Sequence, residues 1–257
     1  MILIESKENS IFKEIRKLHE RKNRNKLSKF IIEGFRLIEE AFISNVPIDY
    51  IIISKSAKEK ISNYNIDTDS IKCYEMPDNL LKELAFTDSP QGIVAVIQVE
   101  NQKISESGSF YLLCDKVQDP GNMGTIIRTA DAAGADGIIL TKGTVDIYNE
   151  KVIRSTMGSI FHIPIFYDND LSEVKKLKSN GFKLIVTALD AENNFFEQKL
   201  DGKIILTVGN EGNGVSNDIV SLADIKVKIP MSGKAESLNV SIASGIIMYE
   251  RVRQQNI

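Results

Sequence analysis

The sequence predicts an α/β protein with two domains, and three observations lead to this fold class. The chain has 257 residues, enough for one or two domains that each bury a hydrophobic core. Strand-like apolar runs alternate with amphipathic helical segments along most of the chain. The polar segment ENQKISESGS (100–109) separates two apolar runs and has the composition of a linker. We therefore expect a first domain at 1–100, a linker at 101–108 and a second domain at 109–257.

The first domain is predicted to be a small α/β module. Ser10 is a candidate N-cap for a helix in which Ile11, Ile15 and Leu18 recur at helical spacing. The basic cluster follows the end of this helix. The remaining elements are predicted from apolar runs between turn residues: strands at 30–32, 50–54, 71–75 and 92–99, and helices at 34–44 and 78–85.

The second domain is predicted to repeat a strand, a loop and a helix. The strands are expected at 110–114, 137–140, 183–188, 203–208 and 225–229, and the helices at 123–133, 150–157, 171–179 and 238–251. Apolar runs such as IILTV (204–208) are typical of a parallel sheet that is covered on both faces. In such sheets ligands bind at the carboxyl ends of the strands, so the loops after the strands are the candidate sites.

Composition excludes several classes of protein. No apolar run approaches the roughly 20 residues of a membrane helix, and the first residues lack the pattern of a signal peptide, so a cytoplasmic protein without a membrane partner is expected. The two cysteines, Cys73 and Cys114, lie far apart, and the histidines are His19 and His162. This spacing favours free buried thiols and predicts no metal site.

The charge distribution is uneven. The net charge is −3, yet the stretch between Lys13 and Arg36 contains nine basic and three acidic residues. A basic patch on an acidic protein is typical of a nucleic-acid contact. A solvated helix face explains the same pattern equally well.

The first candidate loop, DPGNMGTIIRTADAAG (119–134), runs from a strand into a helix. Asn122 is a candidate N-cap, which leaves backbone N–H groups free to bind an anion. Arg128 lies in the second turn of an otherwise apolar helix, where a buried charge needs a partner. The alternative to a functional role is a structural salt bridge with Asp115 or Asp119.

Two further loops follow strands. In VGNEGNGVS (208–216), three glycines in six residues indicate close backbone approach, but neither the dinucleotide fingerprint nor a P-loop is present. Glu211 there suits a hydroxyl, an amine or a cation better than a phosphate; the alternative is a tight turn with an exposed glutamate. In IPMSGKAESLNVS (229–241), Ser237 is a candidate N-cap and Asn239 falls in the first helical turn, although small polar residues also pack closely in buried helices.

Three segments, taken in order, resemble the SpoU family of RNA ribose 2′-O-methyltransferases, part of the SPOUT superfamily. They are DPGNMGTIIRTADAAG, ILTVGNEGNGVS and VKIPMSGKAESLNVSIASG. The intermediate segment KVIRSTMGSIFHIP also resembles a part of that family. The earlier segment KNRNKLSKFIIEGFRLIEEA is similar to the RNA substrate-binding domain that often precedes the catalytic domain.

The resemblance implies a C-terminal SPOUT domain whose parallel sheet ends in a deep trefoil knot, a feature nearly absent from other folds. It implies S-adenosylmethionine as cofactor, bent in the knot, with its adenine held by backbone groups of the second and third loops. It also implies an obligate homodimer with a shared site. The expected substrate is structured RNA, with ribosomal RNA favoured over tRNA because of the basic leading domain.

Site residues follow from the same resemblance. The catalytic and RNA-contacting positions are Arg128, Asn122, Glu211, Ser237 and Asn239. The cofactor-binding positions are Gly209, Ile229 and Leu238, with Ala188, Leu189, Asn210, Gly212, Pro230 and Met231 as neighbours. The positions expected to hold RNA phosphates are Arg21, Lys22, Arg24, Lys26, Lys29, Arg36 and Arg154, the last of which has a surface ion pair as its alternative role.

The resemblance gives Arg128 the role of accepting the proton of the 2′-hydroxyl. Because an arginine keeps its proton far above neutral pH, we favour electrostatic stabilisation of the developing alkoxide beside a phosphate. Two other functions compete. One is a non-catalytic RNA-binding protein that retains the fold, which intact Arg128, Glu211 and Asn239 disfavour. The other is an enzyme for a nucleotide cofactor, which the missing phosphate-binding fingerprints disfavour.

Overall fold

The computed structural model describes residues 1–100 and 102–255, which form two compact units. One unit contains residues 1–100 together with Tyr148–Phe161, and the other contains Gln102–Ile147 together with residues 162–255. The change of unit at residues 101–102 falls at the start of the polar segment expected to be a linker. The predicted domains are continuous in sequence, whereas Tyr148–Phe161 packs in the first unit although it lies inside the predicted second domain.

Strands and helices alternate along the described residues. The strands are β1 (Ile2–Leu3), β2 (Lys29–Glu33), β3 (Ile48–Ser54), β4 (Lys72–Met76), β5 (Ile93–Gln98), β6 (Phe110–Cys114), β7 (Gly137–Leu140), β8 (Ile165–Tyr167), β9 (Lys183–Thr187), β10 (Asn193–Asn194), β11 (Ile204–Val208) and β12 (Ile225–Lys228). The α-helices are α1 (Ser10–Leu18), α2 (Arg21–Leu27), α3 (Phe35–Ile43), α4 (Asp78–Lys82), α5 (Pro120–Ala132), α6 (Glu150–Thr156), α7 (Ser172–Ser179), α8 (Asn217–Val220) and α9 (Val240–Gln255). Three 3₁₀ helices lie at Lys55–Asn63, Ser159–Phe161 and Phe195–Glu197.

The first unit is built on a five-stranded mixed sheet in the order β1-β4-β3-β5-β2. β3 pairs parallel with β4 and antiparallel with β5. Side chains of a strand alternate between the two faces, so the isoleucines of β3 divide between two cores. Ile52 joins the core that contains α1, and Ile51 and Ile53 join the core that contains α3. The sheet is therefore apolar on both faces.

The segment Tyr148–Phe161 adds to the α3 side of this sheet. The ring of Tyr148 stacks on Phe30 at 4.4 Å between centroids, and Ile153 of α6 is buried in the same core. Gly158 adopts a φ of +99° against the side chain of Glu40. Burial of these apolar side chains explains why the segment belongs to the first unit, a long-range effect that local sequence patterns do not carry.

The second unit is a seven-stranded sheet in the order β10-β12-β9-β11-β6-β7-β8, and every pair in it is parallel. Helix α7 covers one face through Val174 and Leu177. Helices α5 and α9 contact each other, and their buried residues include Ile127 and Met248. The predicted parallel sheet is confirmed.

Local details differ from the sequence-based expectation. Asn9, rather than Ser10, caps α1 by accepting a hydrogen bond from the N–H of Ile11 at 2.9 Å. The basic cluster is itself helical and forms α2, which its polar composition did not reveal. In the part of the chain that the structure describes, no helix has the length and apolar character needed to cross a membrane.

Candidate active site

The beginning of α5 follows the carboxyl end of β6 and is organised by Asp119. Its carboxylate accepts a hydrogen bond from the N–H of Asn122 at 2.7 Å, and Pro120 occupies the first helical turn. Asp119 is therefore the N-cap, and the prediction that Asn122 caps this helix is wrong. An aspartate followed by proline is a favourable start for a helix, because proline needs no N–H partner there. The side chain of Asn122 is left available for other contacts.

The loop after β11 is a tight turn closed by main-chain hydrogen bonds. Asn210 and Gly214 exchange two N–H···O bonds of 2.9 Å each. The side-chain oxygen of Asn210 accepts from the N–H groups of Gly212 and Asn213 at 3.0 Å. A Cβ atom on Gly209 would lie 2.1 Å from the backbone carbon of Gly214. Glycine is thus required at 209 by close backbone approach, as the sequence indicated.

Glu211, at the tip of this turn, connects it to the start of α5. One carboxylate oxygen accepts a hydrogen bond from the N–H of Gln118 at 3.1 Å. The other accepts from the N–H of Asp119 at 3.0 Å and from the side-chain amide of Asn122 at 3.1 Å. Glu211 is exposed at the tip of a tight turn, as the structural alternative expected, and its carboxylate also holds two loops together.

The third loop joins the same network at the start of α9. The side-chain amide of Asn239 donates to the side-chain oxygen of Asn122 at 2.9 Å, and its own oxygen accepts from the N–H of Ser241 at 2.9 Å. Asn239 thus fills the capping role that the sequence suggested for Ser237, which is exposed. Three loops that are remote in sequence meet through the hydrogen-bonded chain Glu211–Asn122–Asn239, which we call the triad.

The charge state of Glu211 follows from these contacts. Partial burial raises the pKa of its carboxyl, but the hydrogen bonds from Asp119, Asn122 and Gln118 lower it more, so the pKa falls below its ordinary value. Glu211 is therefore ionised at neutral pH. Its oxygens already accept four hydrogen bonds from the protein, which suits a residue that positions others and not one that exchanges protons.

Arg128 lies on α5 and is exposed. The expectation that it lies in an apolar environment is wrong, because its side of the helix faces away from the core. The acids considered as its salt-bridge partners are otherwise engaged: Asp115 is buried and accepts two hydrogen bonds, and Asp119 caps α5. Across residues 1–100 and 102–255, no acidic side chain pairs with the Arg128 guanidinium.

The cofactor-binding candidates cluster at the carboxyl ends of three adjacent strands, β12, β9 and β11. Ala188 follows β9 and its N–H donates to the carbonyl of Val227 in β12 at 2.9 Å. Leu189 is 70% exposed, which is unusual for leucine. The others follow β11 or β12: Gly209, Asn210, Gly212, Ile229, Pro230, Met231 and Leu238. The predicted positions therefore share one edge of the sheet.

The predicted RNA-binding positions divide into two groups. Arg24 is 6% exposed and its guanidinium donates to the carbonyls of Leu18 and His19, at 2.9 and 2.8 Å. Lys29 is held between Glu14 and Asp49 at 2.8 and 2.6 Å. These two side chains stabilise the first unit, so their prediction as phosphate contacts is wrong. The other predicted positions are exposed: Arg21, Lys22, Lys26, Arg36 and Arg154.

Sequence reasoning missed the residues that assemble the site through their backbones. Gln118 and Asp119 present the N–H groups that Glu211 binds. The signal for Asp119 was available, because Asp-Pro-Gly combines a capping residue with a proline at the first helical position. Among the described residues, no group of three His, Cys, Asp or Glu side chains is arranged to hold a metal ion.

The second unit is a parallel α/β fold with a polar triad at the carboxyl edge of its sheet. Comparison with known families agrees with the class of protein that the sequence resemblance predicts, an RNA methyltransferase. Residues 109–249 match the SpoU rRNA Methylase family, and residues 9–95 match the MRM3-like substrate binding domain. The chain belongs to the SpoU family, and the predictions of a methyltransferase and of S-adenosylmethionine as cofactor are confirmed.

Individual relatives cover nearly the whole chain. The 23S rRNA (guanosine(2553)-2′-O)-methyltransferase RlmP of Bacillus subtilis is 39% identical over 96% of this chain and 97% of its own. An AdoMet-bound rRNA methyltransferase from Sinorhizobium meliloti superposes with a TM-score of 0.87 at 31% identity, covering 98% and 97% of the two chains. The SpoU methyltransferase AviRb from Streptomyces viridochromogenes, in complex with AdoMet, gives 0.85 at 30% identity, covering 96% and 98%.

Proposed function

We propose that this protein transfers the methyl group of S-adenosylmethionine to a ribose 2′-hydroxyl of ribosomal RNA. The observation that carries the proposal is the Glu211–Asn122–Asn239 triad, which joins three loops. Asn122 lies in the first turns of α5, the helix that also carries the exposed Arg128. The substrate assignment is supported by the name of the Bacillus subtilis relative, a 23S rRNA 2′-O-methyltransferase, and by the match to a substrate-binding domain in the first unit.

The residues at the carboxyl edge fit the chemistry of this cofactor. Leu189 is exposed, and Met231 and Leu238 are half-buried, so apolar side chains are available to the adenine and to the methylene groups. The cofactor carries no phosphate, which agrees with the missing phosphate-binding fingerprints and with an ionised glutamate in the turn. When bound, S-adenosylmethionine would supply an electrophilic methyl group to the acceptor oxygen, and its sulfonium would leave as the thioether S-adenosylhomocysteine.

Arg128 interacts with the reacting sugar in this proposal. An exposed guanidinium without an acidic partner has all its donors available for an oxyanion and an adjacent phosphate. Arg128 stabilises negative charge as it develops on the 2′-oxygen, and the proton leaves with assistance from the phosphate or solvent.

The triad positions the elements around that reaction. Glu211 fixes the residues immediately before α5, and Asn122 transmits this restraint to Asn239 at the start of α9. Ser237 lies in the exposed loop that precedes Asn239, and its proposed role is a contact with the RNA. Preorganised hydrogen bonds of this kind reduce the reorganisation needed during reaction.

RNA binding is assigned to exposed basic residues of the first unit: Arg21, Lys22, Lys26, Arg36 and Arg154. Contacts of such residues with phosphates give affinity that falls with salt concentration and carry little sequence information. An rRNA substrate also supports a cytoplasmic location as part of this proposal.

A homodimer belongs to the same proposal. Ile242 and Tyr249 are 55% and 49% exposed on α9, and their spacing of seven residues places them on one face of the helix. An exposed apolar stripe of this kind fits a second copy of the chain. Light scattering should give a dimer for the wild type and a monomer for Ile242→Glu combined with Tyr249→Glu. Ile43→Glu, which changes an equally exposed isoleucine of the first unit, should stay dimeric.

The trefoil knot stays a prediction.

The proposed reaction is tested by replacing Arg128. Arg128→Ala should lower the methylation rate about 10²–10³-fold, because it removes the donor that stabilises the oxyanion. Arg128→Lys, which keeps the charge but loses the planar fork, should retain an intermediate rate. The rate is measured as transfer of labelled methyl to ribosomal RNA from cells without the enzyme, and mass spectrometry locates the modified ribose.

Two controls define the outcome. Calorimetric titration should give an unchanged affinity of Arg128→Ala for S-adenosylmethionine. Full turnover by this variant would remove Arg128 from the chemistry. A wild-type protein that binds ribosomal RNA but not S-adenosylmethionine would instead establish the non-catalytic alternative.

A further inference from the structure

Lys116 has an unusual backbone at the edge of the proposed site. It follows Asp115 directly after β6 and adopts a φ of +55°, in the left-handed region that few residues other than glycine and asparagine occupy. Its N–H donates to the hydroxyl of Thr141 at 3.1 Å, and its carbonyl accepts from the side-chain amide of Asn210 at 2.9 Å. The surrounding contacts therefore hold a conformation that is unfavourable for lysine, and glycine would adopt it at lower cost.

The side chain of Lys116 is directed by a second left-handed residue. Its aliphatic part lies over Gly143, where a Cβ atom would be 3.3 Å from the Lys116 Cγ, and Gly143 has a φ of +100°. Lys142 precedes this glycine and is exposed, as Lys116 is. Two lysines thus lie at the carboxyl ends of the adjacent strands β6 and β7.

The acidic side chains near these two lysines are engaged in hydrogen bonds with other groups. The acids at this edge are occupied by hydrogen bonds: Asp115 accepts from Thr141 and Ser216, and Glu211 accepts from the loop before α5. In the described ranges 1–100 and 102–255, neither Lys116 nor Lys142 forms an ion pair. Two cations without acidic partners beside a site for a polyanion favour an external anionic ligand.

We propose that Lys116 is a substrate-positioning residue whose ammonium group binds a backbone phosphate of the RNA strand that carries the target ribose, with Lys142 as a second contact. The inference rests on the proposed function. The left-handed backbone of Lys116 sets its aliphatic side chain over Gly143, while its carbonyl stays bound to Asn210 of the turn that contains Glu211. The other anion at this edge would be the carboxylate of S-adenosylmethionine, and the experiment separates the two.

The test uses the full-length protein with Lys116→Gly, which removes the ammonium group and suits the left-handed backbone. The dissociation constant for purified ribosomal RNA should rise about tenfold, which corresponds to about 1.4 kcal/mol for the lost charge-assisted hydrogen bond. The dependence of log affinity on log salt should become shallower by about 0.7–0.9 for the lost phosphate contact. The melting temperature should stay unchanged or rise, because glycine relieves the backbone strain. Affinity for S-adenosylmethionine should be unchanged.

Further variants keep the inference falsifiable. Lys116→Asn tolerates the same backbone without the charge and should behave as Lys116→Gly does, whereas Lys116→Arg should retain most RNA affinity. Lys175→Gln removes an exposed lysine of α7 and serves as the matched control, with wild-type affinity. Unchanged RNA affinity of Lys116→Gly, an equal loss in Lys175→Gln, or weakened S-adenosylmethionine binding would each overturn the assignment. Since RNA affinity is measured without methyl transfer, failure of the proposed reaction is a separate result.

Discussion

The two ends of α9 use polar side chains in opposite ways. At its beginning, Asn239 joins an exposed network that includes Asn122 and Glu211. Toward its end, Arg251 is 2% exposed and donates to the carbonyls of Leu200, Gly202 and Ser109. The guanidinium of Arg251 also lies 4.9 Å from the centroid of the Phe110 ring.

These two ends face opposite edges of the same sheet. Residues 198–202 and Ser109 precede strands β11 and β6, so the end of α9 contacts the amino edge, whereas its beginning contacts the carboxyl edge. A buried arginine whose terminal N–H groups donate to carbonyls contributes to stability, although the Nε of Arg251 has no partner among the described residues. An exposed arginine without acids, such as Arg128, is available to a substrate. The contrast separates a residue that holds the fold from the residues that we propose take part in the reaction.

The largest effect on the carboxyl edge is expected from Gly209→Ala. The added Cβ would overlap the backbone of Gly214, and backbone atoms cannot move aside as a side chain can. We expect a cost of about 3 kcal/mol or more and complete loss of S-adenosylmethionine binding. Thermal unfolding and calorimetric titration measure the two quantities.

Gly233→Ala is the matched control, because no atom lies within 4 Å of the added Cβ. It should keep the wild-type melting temperature and cofactor affinity. Equal behaviour of the two variants would refute the argument from close backbone approach.

The next largest effect is expected at the amino edge. Arg251→Leu removes the donor to the buried carbonyl of Leu200 and to the carbonyls of Gly202 and Ser109, and should cost about 2–4 kcal/mol, lowering the melting temperature by about 5–15 °C. Because Arg251 is remote from the triad, the methylation rate per folded molecule should stay close to that of the wild type. Arg253→Leu changes a mostly exposed neighbour and should cost less, because its buried partner Glu250 keeps a hydrogen bond from Gln254. A loss of rate in Arg251→Leu at full folding would remove the distinction between the two edges.

A smaller change in stability, combined with a change in rate, is expected for Glu211→Gln. The amide offers one acceptor oxygen where the carboxylate offers two, so one set of N–H donors loses its partner. We expect about 1 kcal/mol of destabilisation and a methylation rate lowered about tenfold to hundredfold through misplacement of α5. Glu236→Gln, at an exposed glutamate of the third loop, should match the wild type. Equal rates for both variants would show that the triad does not position the reaction.

The pH dependence has a defined sign. Because the pKa of Glu211 is lowered in the folded protein, its contribution to stability is present above the ordinary value of 4.5 and disappears as the pH falls through the lowered value. The difference in melting temperature between wild type and Glu211→Gln should therefore shrink in acid. A difference that grows as the pH falls would contradict the assigned charge state.

Much of the fold and of the site could be predicted from the sequence. Apolar runs such as 204–208 predicted the parallel sheet, since strands buried on both faces need apolar residues throughout. The three loops were predicted from their glycine, asparagine and capping residues. Their meeting point was expected from the rule that loops after parallel strands share an edge, and the hydrogen bonds of Asn122 agree with it.

The rest depended on contacts that local sequence does not encode. Arg21 and Arg24 belong to the same basic run, but α2 turns Arg24 toward the last carbonyls of α1 and leaves Arg21 exposed. Similarly, Asp119 and Asn122 are both good capping residues, and only the path of the chain decides between them.

The excursion of Tyr148–Phe161 has a topological consequence for any attempt to divide this protein. The chain passes between the units at residues 101–102, at 147–148 and again at 161–162. A single proteolytic cut in the polar segment 100–109 would therefore leave two other chain connections between the units. Expression of residues 109–257 alone would strip Tyr148 and Ile153 of the apolar neighbours that bury them. A fragment that carries the methyltransferase motifs alone would therefore expose apolar side chains that favour aggregation.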